Sequence, residues 1–438
     1  MKRISLGHQE VFHRLFLYFF ILMISILFPS CQKQEEPKVM TEAELITRAR
    51  EIHTKALTLD IHEDIEVTFF TPEFYEDLRS EKLVTLPLMD KGGLDGAFFA
   101  VFVAQGPRTA IGFQEAYEMA MEKLQRIHRV VEKDVPEKVG LALHPEDVPR
   151  ISENGKKVAI IGIENGYPIG HNLSILQTFY DLGARYITLC HLKHNQICDS
   201  SANPGGPPVE HDGLSAFGKK VVEEMNRLGI MVDISHLSKK SMLDVLKITK
   251  APVIASHSSC KALNDHHRNL DDEQLLAIKE NGGLVNIVGL NVFIKLDSPE
   301  RIQAINSLRK DFNFPYETAG DFVDAFLKAP EDTKEAYNIL MKKIDEKFPP
   351  PSVKDFVDHI DHAVKLIGVS HVGISSDFYF SDYTLQGWKD AGETFNITLE
   401  LVHRGYTEEA IEKIWSGNLL RVWKENERVS AELQSAMR

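Results

Sequence analysis

Short apolar runs of strand type recur along this chain, and six of them end in His, Asp or Glu. Ala56-Leu57-Thr58-Leu59-Asp60 leads into His62 and Asp64. Val158 to Ile163 ends at Glu164, Tyr186 to Cys190 at His191, and Met231 to Ser235 at His236. Pro252 to Ser256 ends at His257, and Val372 to Ser376 at Asp377. Two further runs, Gly96 to Val103 and Gly283 to Gly289, complete a set of eight. The runs are continuous and apolar, as strands covered on both faces should be. Amphipathic stretches separate them. Phe217 to Leu228 stops at Gly229, and Asp271 to Glu280 stops at Asn281-Gly282-Gly283, both ordinary C-terminal helix signals. Strands alternating with helices imply βαβ units and a parallel sheet, and eight strands in order imply a (β/α)8 TIM-type barrel. The C-terminal strand ends of such a barrel meet at one face, and that face holds the chemistry. Imidazoles and carboxylates far apart in sequence would therefore converge on one site. Divalent zinc-type metals bind that combination.

The strand spacing breaks once. Roughly 80 residues separate Gly289 from Val372, far more than one crossover requires. Ser298 to Lys347 is charged and helical in pattern, and Pro349-Pro350-Pro351 closes it. A helical insertion over 298–351, between the seventh and eighth strands, is expected on the active-site face. Its role is that of a lid or of a packed surface decoration.

At 438 residues and 43% hydrophobic, the chain has ample material for one large core, and a single barrel domain over 46–438 is expected. A formal net charge of -14 argues against nucleic acid and anionic lipid as partners. The N-terminus reads differently. Arg3 and Arg14 precede an apolar run from Leu15 to Phe28, followed by Pro29-Ser30-Cys31. A basic start, an apolar middle and a small residue before the break make a secretory signal. Cys31 looks like the lipid-modified cysteine of bacterial lipoproteins. Residues 1–31 are expected to be that leader and lipobox, and 32–45 a polar tether. The protein is then exported and lipid-anchored to a bacterial membrane, at the periplasmic face or the cell surface. Cys190, Cys198 and Cys260 are too few for a disulfide framework. Cys190 and Cys198 share one loop and either pair or remain thiols.

His62 and Asp64 lie two apart, so in extended chain both side chains can reach one metal. The two oxygens of Glu164 can bridge two cations. His236 and His257 end separate strands and are natural ligands of a second ion. Two metals sharing one carboxylate can hold a hydroxide between them and polarise a carbonyl. His128, His359, His362 and His403 fall within helical patterns and read as structural or surface groups. His194, His266 and His267 lie in site loops with no role assigned.

These residues resemble those of the membrane (renal-type) dipeptidases, zinc enzymes of the amidohydrolase-like barrel group, from about Thr58 to Trp423. The resemblance rests on Gly213 to Gly218, Asp233-Ile234-Ser235-His236, Ser256-His257-Ser258-Ser259 and His267-Arg268-Asn269. It rests also on Ala184 to Leu189 with His191 and Asp199-Ser200, His371 to Ile374 with Asp377-Phe378, and Gly417 to Val422. It implies dipeptide hydrolysis with two zinc ions. His62 and Asp64 would hold one ion, His236 and His257 the other, and Glu164 would bridge them. His191 would steady the substrate carbonyl and its tetrahedral intermediate. Arg268 would clamp the C-terminal carboxylate, and Asp377 would handle the proton. A homodimer is also implied. Cys190, the Asn165-Gly166-Tyr167-Pro168 segment and Tyr379 depart from the usual pattern without removing a ligand or the clamp, and they bear on side-chain preference. The alternatives are a binuclear hydrolase of another carboxylate-bearing amide or lactam, such as an N-acyl amino acid, and a non-catalytic surface-binding lipoprotein.

Overall fold

Among the described residues nine strands form one sheet, and every named pairing in it is parallel. The computed structural model describes residues 40–64, 83–316, 322, 325–326, 328–378 and 383–437. The leader and lipidation expectations lie outside these residues, as does most of the tether. Residues 45–438 make one compact unit.

The strands are β1 (Leu59–Asp64), β2 (Gly96–Phe102), β3 (Val139–Leu141), β4 (Lys157–Glu164), β5 (Ala184–Thr188), β6 (Met231–Asp233), β7 (Ile254–Ala255), β8 (Leu284–Val288) and β9 (Val372–Ser375). Eight of them follow the path β1-β2-β4-β5-β6-β7-β8-β9, and β3 pairs off this path with the start of β4. The two ends of the path meet where the Asp377 amide donates to the His62 carbonyl at 3.0 Å. This is the expected (β/α)8 barrel with one short strand added. Val139-Gly140-Leu141 was too brief to register as a run. The first strand also starts later and ends later than its apolar run suggests. His62 and Asp64 lie inside β1 and not beyond it.

The barrel interior is filled by Leu59, Ile61, Phe98, Val158, Ile160, Tyr186, Met231, Ile254 and Leu284 from the strands. Leu419, Val422 and Trp423 join the same cluster from the final helix, Asn418–Ala436. Gly162 is needed inside this core, because a Cβ there would lie 2.1 Å from Cζ of Tyr186. A second, larger cluster unites the outward strand faces with the surrounding helices.

The helices end as their sequences direct. α1 (Ala216–Leu228) is capped by Ser215 and stops at Gly229, whose φ of 83° suits glycine. α2 (Asp272–Glu280) carries a reciprocal capping box between Asp271 and Gln274. The long insertion contains α3 (Pro299–Asp311) and α4 (Glu331–Lys347). They enclose a separate apolar cluster of Leu308, Phe314, Phe322, Phe326, Tyr337 and Met341. The guanidinium of Arg309 sits 3.7 Å from the centroid of the Phe322 ring, and buried Arg301 binds Asp345 at 2.8 Å and the Phe348 carbonyl at 2.7 Å. The insertion thus has a small core of its own.

Candidate active site

Glu164 ends β4 and is 3% exposed. Four imidazoles from four other strand ends surround its carboxylate. Oε1 lies 3.0 Å from His236 Nε2, 3.3 Å from His257 Nε2 and 3.6 Å from His191 Nε2. Oε2 lies 3.6 Å from His62 Nε2. Asp377 completes the ring, its Oδ1 4.0 Å from His62 Nε2.

Unusual backbone aims these side chains. Among the described residues, five that are not glycine have positive φ. Three are at this site: Asn165 at 82°, His236 at 68° and Asp377 at 56°. Such conformations cost free energy and persist where the surroundings impose them. In β1 the register slips between Asp60, opposite Ala97, and Glu63, opposite Phe99. Three steps on one strand against two on the other make a bulge at His62. Bulges re-aim side chains beside active sites.

Groups behind the imidazoles fix their proton positions. The Asp233 carboxylate accepts the Ser256 hydroxyl at 2.6 Å and the Ser256 amide at 2.9 Å. The Ser256 oxygen, 2.7 Å from His257 Nδ1, is therefore left to accept a proton from that nitrogen. This network assigns the Nδ1–H tautomer to His257 and turns the lone pair of Nε2 toward Glu164. His62 Nδ1 similarly meets the Tyr186 hydroxyl at 2.8 Å. A lone pair facing a carboxylate oxygen is repulsive unless a cation lies between them. Partnered ring nitrogens behind the ligand atoms are the usual support of metal-binding histidines.

Protonation favours the same use. Burial pushes the His236 and His257 imidazoles well below the usual histidine range. Arg268 and His191 reinforce the effect at His236, and His62 does so at His257. Both rings stay neutral, the form that ligates metals. Burial opposes ionisation of Glu164. The electrostatic influence of the surrounding imidazoles, His191 and His62 foremost, overcomes it and holds the carboxyl well below its usual range.

Two groups of three, His62–Glu164–His257 and Glu164–His191–His236, have ligand atoms all within 4.8 Å of one another. Glu164 belongs to both, so the donor set fits a cation pair sharing one carboxylate. The grouping differs from the sequence expectation. His257 stands near His62 as well as His236, whose Nε2 is 2.9 Å away. His191 stands among the candidate ligands, its ring 4.1 Å from that of His236. The backbone of Asp64 pairs with Ala100 of β2, and its side chain lies outside the described structure.

Arg268 reaches the same site from the loop after β7. It is 4% exposed, and one of its terminal nitrogens donates to the His257 carbonyl at 3.2 Å. Burial works against its charge, while Asp377 and Glu164 favour it. Its Nε has no hydrogen-bond partner among the described residues. Cys190, Cys198 and Cys260 are buried free thiols. His194 is buried too, its Nδ1 accepting the Ser200 amide at 2.9 Å. The His266 ring packs, tilted, against those of His267 and Phe293, and the Arg268 guanidinium lies over Phe293. The sequence reading missed Asp60, Tyr186, Asp233 and Ser256. Asp233 carried a signal, a charged residue in the otherwise apolar run Met231-Val232-Asp233-Ile234.

The family model for membrane dipeptidase, peptidase family M19, matches residues 46–437. Dipeptidase tcpJ of Claviceps purpurea is 32% identical over 80% of this chain and 70% of its own length. Dipeptidase verJ of Clonostachys rogersoniana is 30% identical over 82% of this chain and 80% of its own. The solved structure of the probable dipeptidase PvdM from Pseudomonas aeruginosa is 32% identical, with a TM-score of 0.74, over 88% of this chain and 99% of that one. A match over nearly the whole compact unit, on a barrel whose strand ends carry this His and Glu cluster, makes the chain a metallo-dipeptidase of the membrane dipeptidase family.

Proposed function

We propose that this chain hydrolyses dipeptides with two zinc ions held by His62, Asp64, Glu164, His236 and His257, and that Arg268 receives the free C-terminal carboxylate of the substrate. The observation that carries the reading is the convergence of four imidazole Nε2 atoms on the two oxygens of Glu164. When bound, divalent ions supply Lewis acidity and an acidified water. The protein supplies the rest. His191, with 24% of its side chain exposed, donates to the oxygen of the scissile carbonyl. Asp377, with 13% exposed, takes the proton of the attacking water and returns it to the leaving amine. The Arg268 guanidinium binds a planar carboxylate with two parallel bonds, which fixes where the substrate must end.

A buried guanidinium calls for a carboxylate without calling for a free amine. N-acyl amino acids are therefore the second reading. Hydrolysis of a panel of dipeptides and their N-acetylated forms, with and without added zinc, tests both. Zinc-dependent cleavage of free dipeptides supports the first. Cleavage confined to N-acetylated substrates replaces it with the second. For location, the proposal is export and anchoring through lipid on Cys31. Conversion of Cys31 to Ser should release the protein from membranes, and unchanged membrane attachment would remove the anchor from the proposal.

A further inference from the structure

β1 and β9 lie at opposite ends of the sheet path, and among the described residues no strand ladder joins them. A carboxylate spans this seam. Oδ1 of Asp60 accepts the His62 amide at 3.2 Å and the Ser376 amide at 2.9 Å. Just above it, the Asp377 amide donates to the His62 carbonyl at 3.0 Å. The Ser376 hydroxyl donates to Glu63 Oε1 at 3.3 Å. Asp60 is 1% exposed and Glu63 2%, so two acidic side chains are buried behind the site. One oxygen thus holds the backbone of a candidate ligand on β1 and of the residue preceding Asp377, just past the end of β9.

We propose that Asp60 is a positioning residue for the reaction, setting the gap between His62 and Asp377 across a seam that the sheet itself leaves open. The proposal rests on the reading above in giving those two residues work in catalysis. Asp60 meets neither substrate nor the reacting atoms. Its effect is geometric. The bulge frees the His62 amide from the regular ladder, and the end of β9 frees that of Ser376. A single acceptor ties both, and with them the 4.0 Å approach of Asp377 Oδ1 to His62 Nε2. Small misplacements of reacting groups are costly in rate, about a hundredfold for 1 Å.

The test compares the parent with D60A and D60N. The readouts are kcat and KM on alanyl-alanine with zinc, the thermal midpoint, and the visible spectrum of cobalt(II)-loaded protein. In D60A, kcat should fall about 30- to 100-fold with KM changed less than about threefold, and the cobalt bands should shift. Asn keeps an oxygen where Oδ1 stands. D60N should therefore restore the parental cobalt spectrum and bring kcat within about fivefold of the parent. A parental kcat and spectrum in D60A, with only a lower thermal midpoint, would show a packing role and overturn the proposal. D60N as damaged as D60A would also overturn it, because the acceptor geometry is then not what matters. If D60A does not fold, D60N decides, with a parental spectrum in support and a shifted one against. A parent that cleaves no dipeptide defeats the function proposed above. The cobalt spectra still decide the role of Asp60.

Discussion

Ser256 stands between Asp233 and His257, its oxygen 2.6 Å from the carboxylate and 2.7 Å from Nδ1. All three side chains are buried. The hydroxyl can donate to only one of the two, and the carboxylate takes it. The imidazole must then carry its proton on the side away from Glu164. Conversion of Ser256 to Ala leaves the ligand set intact and releases this constraint. Zinc affinity should fall about 10- to 100-fold, the usual cost of losing a partner behind a metal ligand. Chelator competition measures it. A parental zinc dissociation constant in the variant would mean that the relay does not orient His257.

Gly162 controls the other supported imidazole. Its Cα faces the Tyr186 ring so closely that an added Cβ would overlap Cζ at 2.1 Å. Tyr186 in turn places its hydroxyl 2.8 Å from His62 Nδ1. Gly162→Ala should cost about 1–3 kcal/mol of stability through overpacking. It should also draw the hydroxyl off His62 and weaken metal binding. Tyr186→Phe removes the hydroxyl without the clash, so it should weaken metal binding with a smaller loss of thermal midpoint. Parental zinc affinity in both variants would show that Tyr186 serves packing alone.

Eight of the strands were legible because a strand buried on both faces is an unbroken apolar run, and the run needs no alternation to be seen. The polar residue closing each run located most of the site for the same reason. What stayed hidden depends on contacts between strands. Val139 to Leu141 pairs because β4 offers an edge there, and three residues carry no periodicity. The bulge that places His62 inside β1 exists only as a mismatch with β2. The left-handed backbone at His236 and Asp377 has no glycine to announce it. Tyr186 and Ser256 look like ordinary core and loop residues until the barrel brings their oxygens beneath the imidazoles. The grouping of His257 with His62 is likewise a property of the barrel, since their strands are distant in sequence.

His359 gives the fold a pH dependence apart from the metal site. It lies in the helix Val353–Ile367, where Nδ1 accepts the Cys260 amide at 3.0 Å and Nε2 donates to the Ile294 carbonyl at 2.8 Å. Burial lowers its pKa to about 4, against about 6.5 in the unfolded chain. Between those values the unfolded chain binds a proton that the folded protein does not. Its contribution is therefore complete above pH 6.5 and is lost as pH falls toward 4. From pH 7 to pH 5 the loss should be about 2 kcal/mol. Denaturant unfolding of metal-free protein at the two values checks this, with His359→Gln as the reference that does not titrate. An equal fall in parent and variant would assign the pH dependence to other groups.

Arg268 brings a buried cation to the site. Its guanidinium is buried beside Asp377 and Glu164, and one contact, to the His257 carbonyl, is internal to the protein. Two roles are therefore open to the side chain, as a clamp for a substrate carboxylate and as a brace for the β7 loop. Kinetics separate them. As a clamp, Arg268→Met should cost about 2–4 kcal/mol in kcat/KM on a free dipeptide, as expected for truncating one side of a desolvated charge pair. The matching dipeptide amide lacks the negative charge. It should already be a poor substrate of the parent, and the substitution should harm it little. Zinc content should stay unchanged. Arg268→Lys should rescue only in part, because an ammonium cannot form two parallel bonds to a carboxylate. As a brace, the residue would matter equally for acid and amide, and its loss would lower the thermal midpoint and disturb His257. Equal losses on the two substrates would leave a metal-dependent hydrolase whose choice of substrate rests on something other than a free C-terminus.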